Sequence, residues 1–216
     1  DIPRALYYAN VNGVITDDYT IIHSFTHFPY EYISLIDADN DNDMDAVFCK
    51  RNQPSDGGSF GICRNNGQGV FTDTYVTTTD RRISTYAVGH MDGDNWCEVI
   101  LCTTTGVYQY HKVQNQYQET LIDDSQWSSY YNFCFINDFN NDGFNDILIG
   151  APENNSAGGD SGTAYLIFGQ ATPFGTIDLD TSAGGSGGFR TVAELGSDYL
   201  GAAVHGAGDV NGTGLT

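Results

Sequence analysis

The chain has 216 residues, enough for one sizeable core, and its 26 glycines, 14 tyrosines and 12 phenylalanines suit strands and turns. Its 28 acidic residues outweigh 8 basic ones for a formal charge of −20, which argues against a nucleic-acid partner because phosphate contacts need a basic face. No apolar run approaches the roughly eighteen residues of a membrane-spanning helix, and the start at Asp1 is that of a mature or excised product without a signal peptide.

In chain order, residues 1–28 carry an outer hairpin, Leu6 to Asp17, in which a polar Gly/Asn turn separates two strands. Tyr32 to Ile36 is an apolar strand entering an acidic loop, and Ala46 to Cys49 is the strand leaving it. Ile62 to Asp73 repeats the first hairpin and completes a unit over 29–80. In the next unit, 81–126, Tyr86 to Val88 enters a second loop, Val99 to Cys102 leaves it, and Val107 to Leu121 is a looser hairpin. In the third, 127–195, Phe133 to Ile136 and Ile147 to Ile149 flank a third loop, and Thr163 to Leu179 stands where the hairpin belongs. A further unit begins over 196–216 with a strand at Ala202 to Val204 and the opening of a fourth loop.

The loops open at positions 37, 90, 138 and 209, spacings of 53, 48 and 71 residues. Spacings near fifty fit one four-stranded propeller blade each. The long third spacing calls for an insertion, for which the Gly/Ser-rich stretch Ser182 to Gly188 is the candidate. No helix with apolar spacing appears. The expected fold is all-β, a β-propeller of four-stranded antiparallel blades in a single region over 1–216. About three blades are complete, partial blades stand at both ends, and the usual range of about four to eight blades makes the chain a stretch of a longer protein with further repeats on both sides.

The acidic loops carry the chemistry. In Asp37-x-Asp39-x-Asp41 side chains at alternate positions can converge on one point, and carboxylates packed that closely need a cation. Oxygen ligands without His or Cys select a hard ion, and an irregular loop of oxygens suits Ca²⁺ better than Mg²⁺. Asp138-x-Asn140-x-Asp142-Gly143 follows the same logic, with Gly143 where the chain turns sharply. Asp45 and Asp146, at the ninth position of their loops, can close the site from its far side. A solvated Asp/Asn/Gly turn is the plain alternative for any one loop; recurrence between apolar strands favours the cation.

The third loop with its following Gly150-Ala151-Pro152, the Phe168-Gly169 strand end and the Leu200 to Val204 opening resemble the FG-GAP repeats of integrin α-subunits. Asn65 to Phe71 resembles the outer hairpin of the related VCBS repeats. The resemblance implies an extracellular propeller whose loops bind calcium through side chains at positions one, three, five and nine and a carbonyl at position seven. It therefore assigns Asp37, Asp39, Asp41 and Asp45 with the carbonyl of Asp43, and Asp138, Asn140, Asp142 and Asp146 with the carbonyl of Phe144. Asn42 replaces the usual Gly of the first loop and tolerates the same left-handed backbone. The second loop has His90, a poor calcium ligand, at position one, so Asp92, Asp94 and Glu98 form a weaker set. The fourth loop offers only Asp209 and Asn211, with Thr213 in place of the third acid.

The resemblance further implies an adhesion or recognition module for an extracellular protein ligand, cell-surface or secreted, and not an enzyme. A lectin-like propeller for polysaccharides and a bead of a surface fibre assembled from like subunits are the rival readings. The sequence lacks a Gly-x-Ser-x-Gly elbow, a His-Glu-x-x-His pair and a phosphate loop. The sequon Asn154-Asn155-Ser156 adds a glycosylation acceptor that favours secretion. Of five cysteines, Cys49 and Cys63 lie on consecutive strands, where a disulfide forms if they face each other, and a pairing with Cys134 is the other arrangement open to Cys102.

Overall fold

In the computed structural model the described residues are 4–11, 14–24, 32–50, 58–114, 116–124, 133–155, 157–172, 174–177, 179 and 187–206, with the backbone alone for 4–11, 14–24 and 73–78. They form fourteen strands, and among them no helix occurs. Two compact units are distinguished, 1–80 and 81–216.

The first unit opens with a hairpin of β1 (Arg4–Val11) and β2 (Val14–Ser24). A four-stranded antiparallel sheet follows, β3 (Tyr32–Ile36), β4 (Asp45–Lys50), β5 (Gly58–Asn65) and β6 (Phe71–Thr79), paired in chain order. The apolar run of β4 is buried on both faces, as expected of a strand flanked within its sheet and covered above and below. Ala46, Phe48 and Cys63 form the unit's core, with Phe71 packed against them.

The second unit holds two such sheets. One is β7 (Ile83–Gly89), β8 (Glu98–Thr103), β9 (Gly106–Val113) and β10 (Gln116–Asp123). The other is β11 (Phe133–Asn137), β12 (Asp146–Ala151), β13 (Thr163–Ile167) and β14 (Gly188–Val192). Three four-stranded meanders without helices are the blades of a β-propeller, the expected fold class. The two sheets of this unit share one core, in which Ile100, Cys102 and Val107 of the second blade meet Ile147, Ile149 and Tyr165 of the third. Close approach depends on Gly89, where a Cβ would lie 2.7 Å from Cγ2 of Ile136 on β11.

Two expectations are corrected. The fourth strand of the third blade is not reached by Leu179; it begins at Gly188, and the insertion is the connection from β13 to β14, of which 173, 178 and 180–186 lie outside the described residues. That connection is a strap across the second blade. The backbone N–H of Phe174 donates to the buried Gln109 side chain at 3.1 Å and that of Leu179 to the buried Asp123 at 3.2 Å, while Ile177 N–H donates to the Ile122 carbonyl. Ala202 to Val204 is not a strand either. Its segment is held instead by backbone bonds from Ser197, Tyr199 and Leu200 to the Gly159, Asp160 and Ser161 carbonyls, by a bridge from Leu200 to Gly162 and by the His205 ring against Phe135.

Candidate metal centre

Each acidic loop joins the first two strands of a blade, so its ends are fixed about one strand spacing apart by the ladder. The ninth residue, Asp45, Glu98 or Asp146, is the first residue of the second strand and has no solvent exposure. All three turn back into the loop, where one oxygen accepts the N–H of position two: Ala38 at 2.8 Å, Met91 at 2.7 Å and Phe139 at 2.8 Å. Charged acceptors make such bonds strong.

In the first and third loops the other oxygen ties the loop to the C-terminal end of the third strand of the blade or the residues just after it. Asp45 accepts Asn65 N–H at 2.7 Å, and Asp146 accepts Gly169 N–H at 2.7 Å. The first residue caps the loop from the opposite end. Asp37 takes the N–H groups of Asp41 and Asn42 at 3.0 and 2.8 Å, and Asp138 those of Asp142 and Gly143 at 3.2 and 3.0 Å. Both loops are left-handed at positions four and six, with φ of 59° and 72° at Asn40 and Asn42 and of 58° and 93° at Asn141 and Gly143. Asn42 thus fills the glycine position as its residue type allows.

The second loop differs for a reason visible in its sequence. His90 has no carboxylate with which to accept two N–H groups, and neither Gly93 nor Asn95 is left-handed. Asp92 accepts Asp94 N–H at 3.0 Å and Asp94 accepts Trp96 N–H at 2.6 Å. Glu98 Oε1 is buried without a hydrogen-bond partner. The His90 carbonyl accepts the Asn145 amide, linking the second loop to the third.

Among the described residues, two acidic clusters bring one oxygen from each member within 4.8 Å: Asp37 with Asp39 and Asp45, and Asp92 with Asp94 and Glu98. Both contain a buried oxygen without a partner, Asp39 Oδ1 and Glu98 Oε1. Buried polar atoms are rarely left so, and convergent oxygens of this kind fit a hard divalent cation. Burial raises the pKa of Asp45 and Asp146 above their ordinary values and pushes Glu98 up to about 8. A cation at these sites would reverse that push. The third loop brings Asp138, Asn140, Asp142 and Asp146 into one loop, where Asn140 also bonds within it: its Oδ1 accepts Asp142 N–H at 2.9 Å and its Nδ2 donates to Asp142 Oδ2 at 2.9 Å. In the first loop Asp41 accepts Asp43 N–H at 3.0 Å. Asp209 and Asn211 lie outside the described residues.

Pattern reading missed Arg64. Its Nη1 meets Asp39 Oδ2 at 2.9 Å, placing a fixed positive charge at the rim of the first cluster. A lone arginine far along the chain gives no motif; only the pairing of β4 with β5 brings it there. Lys112 lies over the Trp96 ring at the corresponding rim of the second loop. The sequon is not presented by the fold: Asn154 is buried, its amide donating to the Tyr165 hydroxyl at 3.0 Å. Cys49 and Cys63 do not face each other. Cys49 stands opposite Phe60 and Cys63 opposite Ala46, an odd offset that puts them on opposite faces.

No helix among the described residues is long and apolar enough to cross a membrane. The sequence model of the FG-GAP repeat family matches residues 129–167, which take in β11, the third loop, β12 and β13.

Proposed function

We propose that this chain is a calcium-stabilised extracellular recognition module, a propeller whose acidic loops hold Ca²⁺ structurally and whose faces bind a protein ligand. The observation that carries the reading is the shared loop architecture. In three blades a buried ninth carboxylate closes the loop on its second residue, and in two of them convergent oxygens include a buried atom without a partner. The FG-GAP match over 129–167 supports it. Calcium is the hard ion that accepts irregular oxygen shells of six to eight ligands. The residues proposed as ligands are Asp37, Asp39, Asp41, Asp45 and the Asp43 carbonyl in the first loop, and Asp138, Asn140, Asp142, Asp146 and the Phe144 carbonyl in the third. Asp92, Asp94 and Glu98 form a weaker site, because His90 leaves the loop backbone uncapped. No step of catalysis is assigned to these acids.

Native mass spectrometry with added calcium tests this. Two tightly held ions are expected, one of them lost in Asp142→Ala and neither lost in His90→Ala. Retention of no calcium would overturn the reading, and loss of an ion in His90→Ala would move the principal site to the second loop. Screening against glycans and against extracellular proteins separates the protein-ligand reading from the lectin-like one.

A further inference from the structure

The five cysteines are not equivalent once the sheets are in place. Cys97 lies in the second loop with its sulfur 3.9 Å from the Tyr117 hydroxyl, and Cys49 and Cys63 point to opposite faces of their sheet. Cys102 and Cys134 belong to different blades yet share one core cluster. On the second blade, Thr85 pairs with Cys102, Ala87 with Ile100 and Gly89 with Glu98, so these residues lie on one face. That face meets β11, where Ile136 sits over Gly89 and Cys134 lies two residues back on the same side of the strand. Cys134 packs against the cluster that contains Cys102 and is a neighbour that acts on its thiol. Cys102 is fully buried and Cys134 is half-buried.

We propose that Cys102 and Cys134 are a modification site that closes to a disulfide joining the second and third blades, with a low-molecular-weight disulfide such as oxidised glutathione as oxidant. Cys134, reached from solvent, loses its proton and attacks one sulfur of the oxidant. A mixed disulfide forms and one glutathione thiolate leaves. Cys102 then loses its proton and attacks the Cys134 sulfur. The protein disulfide forms and the second glutathione thiolate leaves. The two thiols are oxidised, one molecule of oxidised glutathione is reduced to two of glutathione, and the two protons released balance the two thiolates. Burial raises the Cys102 thiol pKa well above its ordinary value, so the second step is slow, and the same burial shields the finished bond from reductants. The cross-link spans two sheets and would add a covalent tie to their shared core, beside the packing there and the hydrogen bonds of the strap.

The test uses the chain itself, reduced and then incubated with oxidised glutathione, with thiols counted after denaturation and peptides mapped without reduction. The expected result is a fall from five thiols to three, one cross-linked peptide pair containing Cys102 and Cys134, and a melting temperature several degrees above that of the reduced protein. Cys134→Ser should keep four thiols and show no such rise. The mapping on the unmodified chain decides even if that variant folds poorly. Five thiols remaining, glutathione retained on Cys134, or a cross-link through any other pair would each overturn the proposal.

Discussion

Replacing Asp45 by Ala separates the two roles given to the ninth carboxylate. Asp45 accepts Ala38 N–H at 2.8 Å and Asn65 N–H at 2.7 Å. Each buried donor left without a partner costs about 1–3 kcal/mol. Relief of the buried charge offsets part of this, since burial already raises the Asp45 pKa. A net loss of about 2–3 kcal/mol is therefore expected in chelator. With calcium at about a hundred times its Kd, the unaltered loop gains a further ~2.7 kcal/mol that the variant cannot. Urea unfolding of both proteins, in chelator and in calcium, measures the two losses separately. A deficit that is the same in both conditions would refute Asp45 as part of a cation site. A variant as stable as the parent in chelator would refute the hydrogen-bond argument.

Arg64→Gln should tighten calcium binding at the first loop, because it removes a positive charge held 2.9 Å from Asp39. With the Arg64 side chain 41% exposed the gain is held by solvent screening to about tenfold; titration calorimetry showing unchanged or weaker binding would contradict it. Glu98 has a folded pKa of about 8 against an ordinary 4.5, so the folded state holds its proton more tightly than the unfolded chain does. In chelator its contribution is complete below about pH 4.5 and is lost as pH rises to 8, at most about 5 kcal/mol. Glu98→Gln should flatten that slope in unfolding measured at pH 5 and pH 8, and an unchanged slope would place its source elsewhere.

Much of the blade architecture was legible because each local signal repeats. The alternation of apolar strand, acidic loop and apolar strand places β3, β4, β7, β8, β11 and β12 within a few residues of where they stand. The left-handed role of Asn42 follows from its residue type and place in the loop. What stayed hidden depends on register and on contact between distant segments. The face to which Cys63 points is set by its pairing with Ala46, and an offset of one residue would have reversed it. Arg64 reaches Asp39 only through the β4–β5 ladder. The strap escaped the hairpin expected up to Leu179 because the backbone N–H groups of Phe174 and Leu179 bond side chains of another blade, Gln109 and Asp123. The sequon failed because a three-residue motif says nothing of the burial that Tyr165 imposes on Asn154.

The strap has a consequence for the order in which this protein comes into being. Gln109 and Asp123 are buried in the second blade, yet N–H groups that bond them belong to Phe174 and Leu179. Leu179 stands 56 residues after Asp123, so during synthesis, at about 5–20 residues per second, the second blade waits several seconds for these bonds. Its four strands are present before the strap that crosses them. The repeats are therefore not interchangeable beads: the second is completed by the third, and a boundary drawn between them for expression or for swapping repeats would cut a blade from residues it needs in order to be finished.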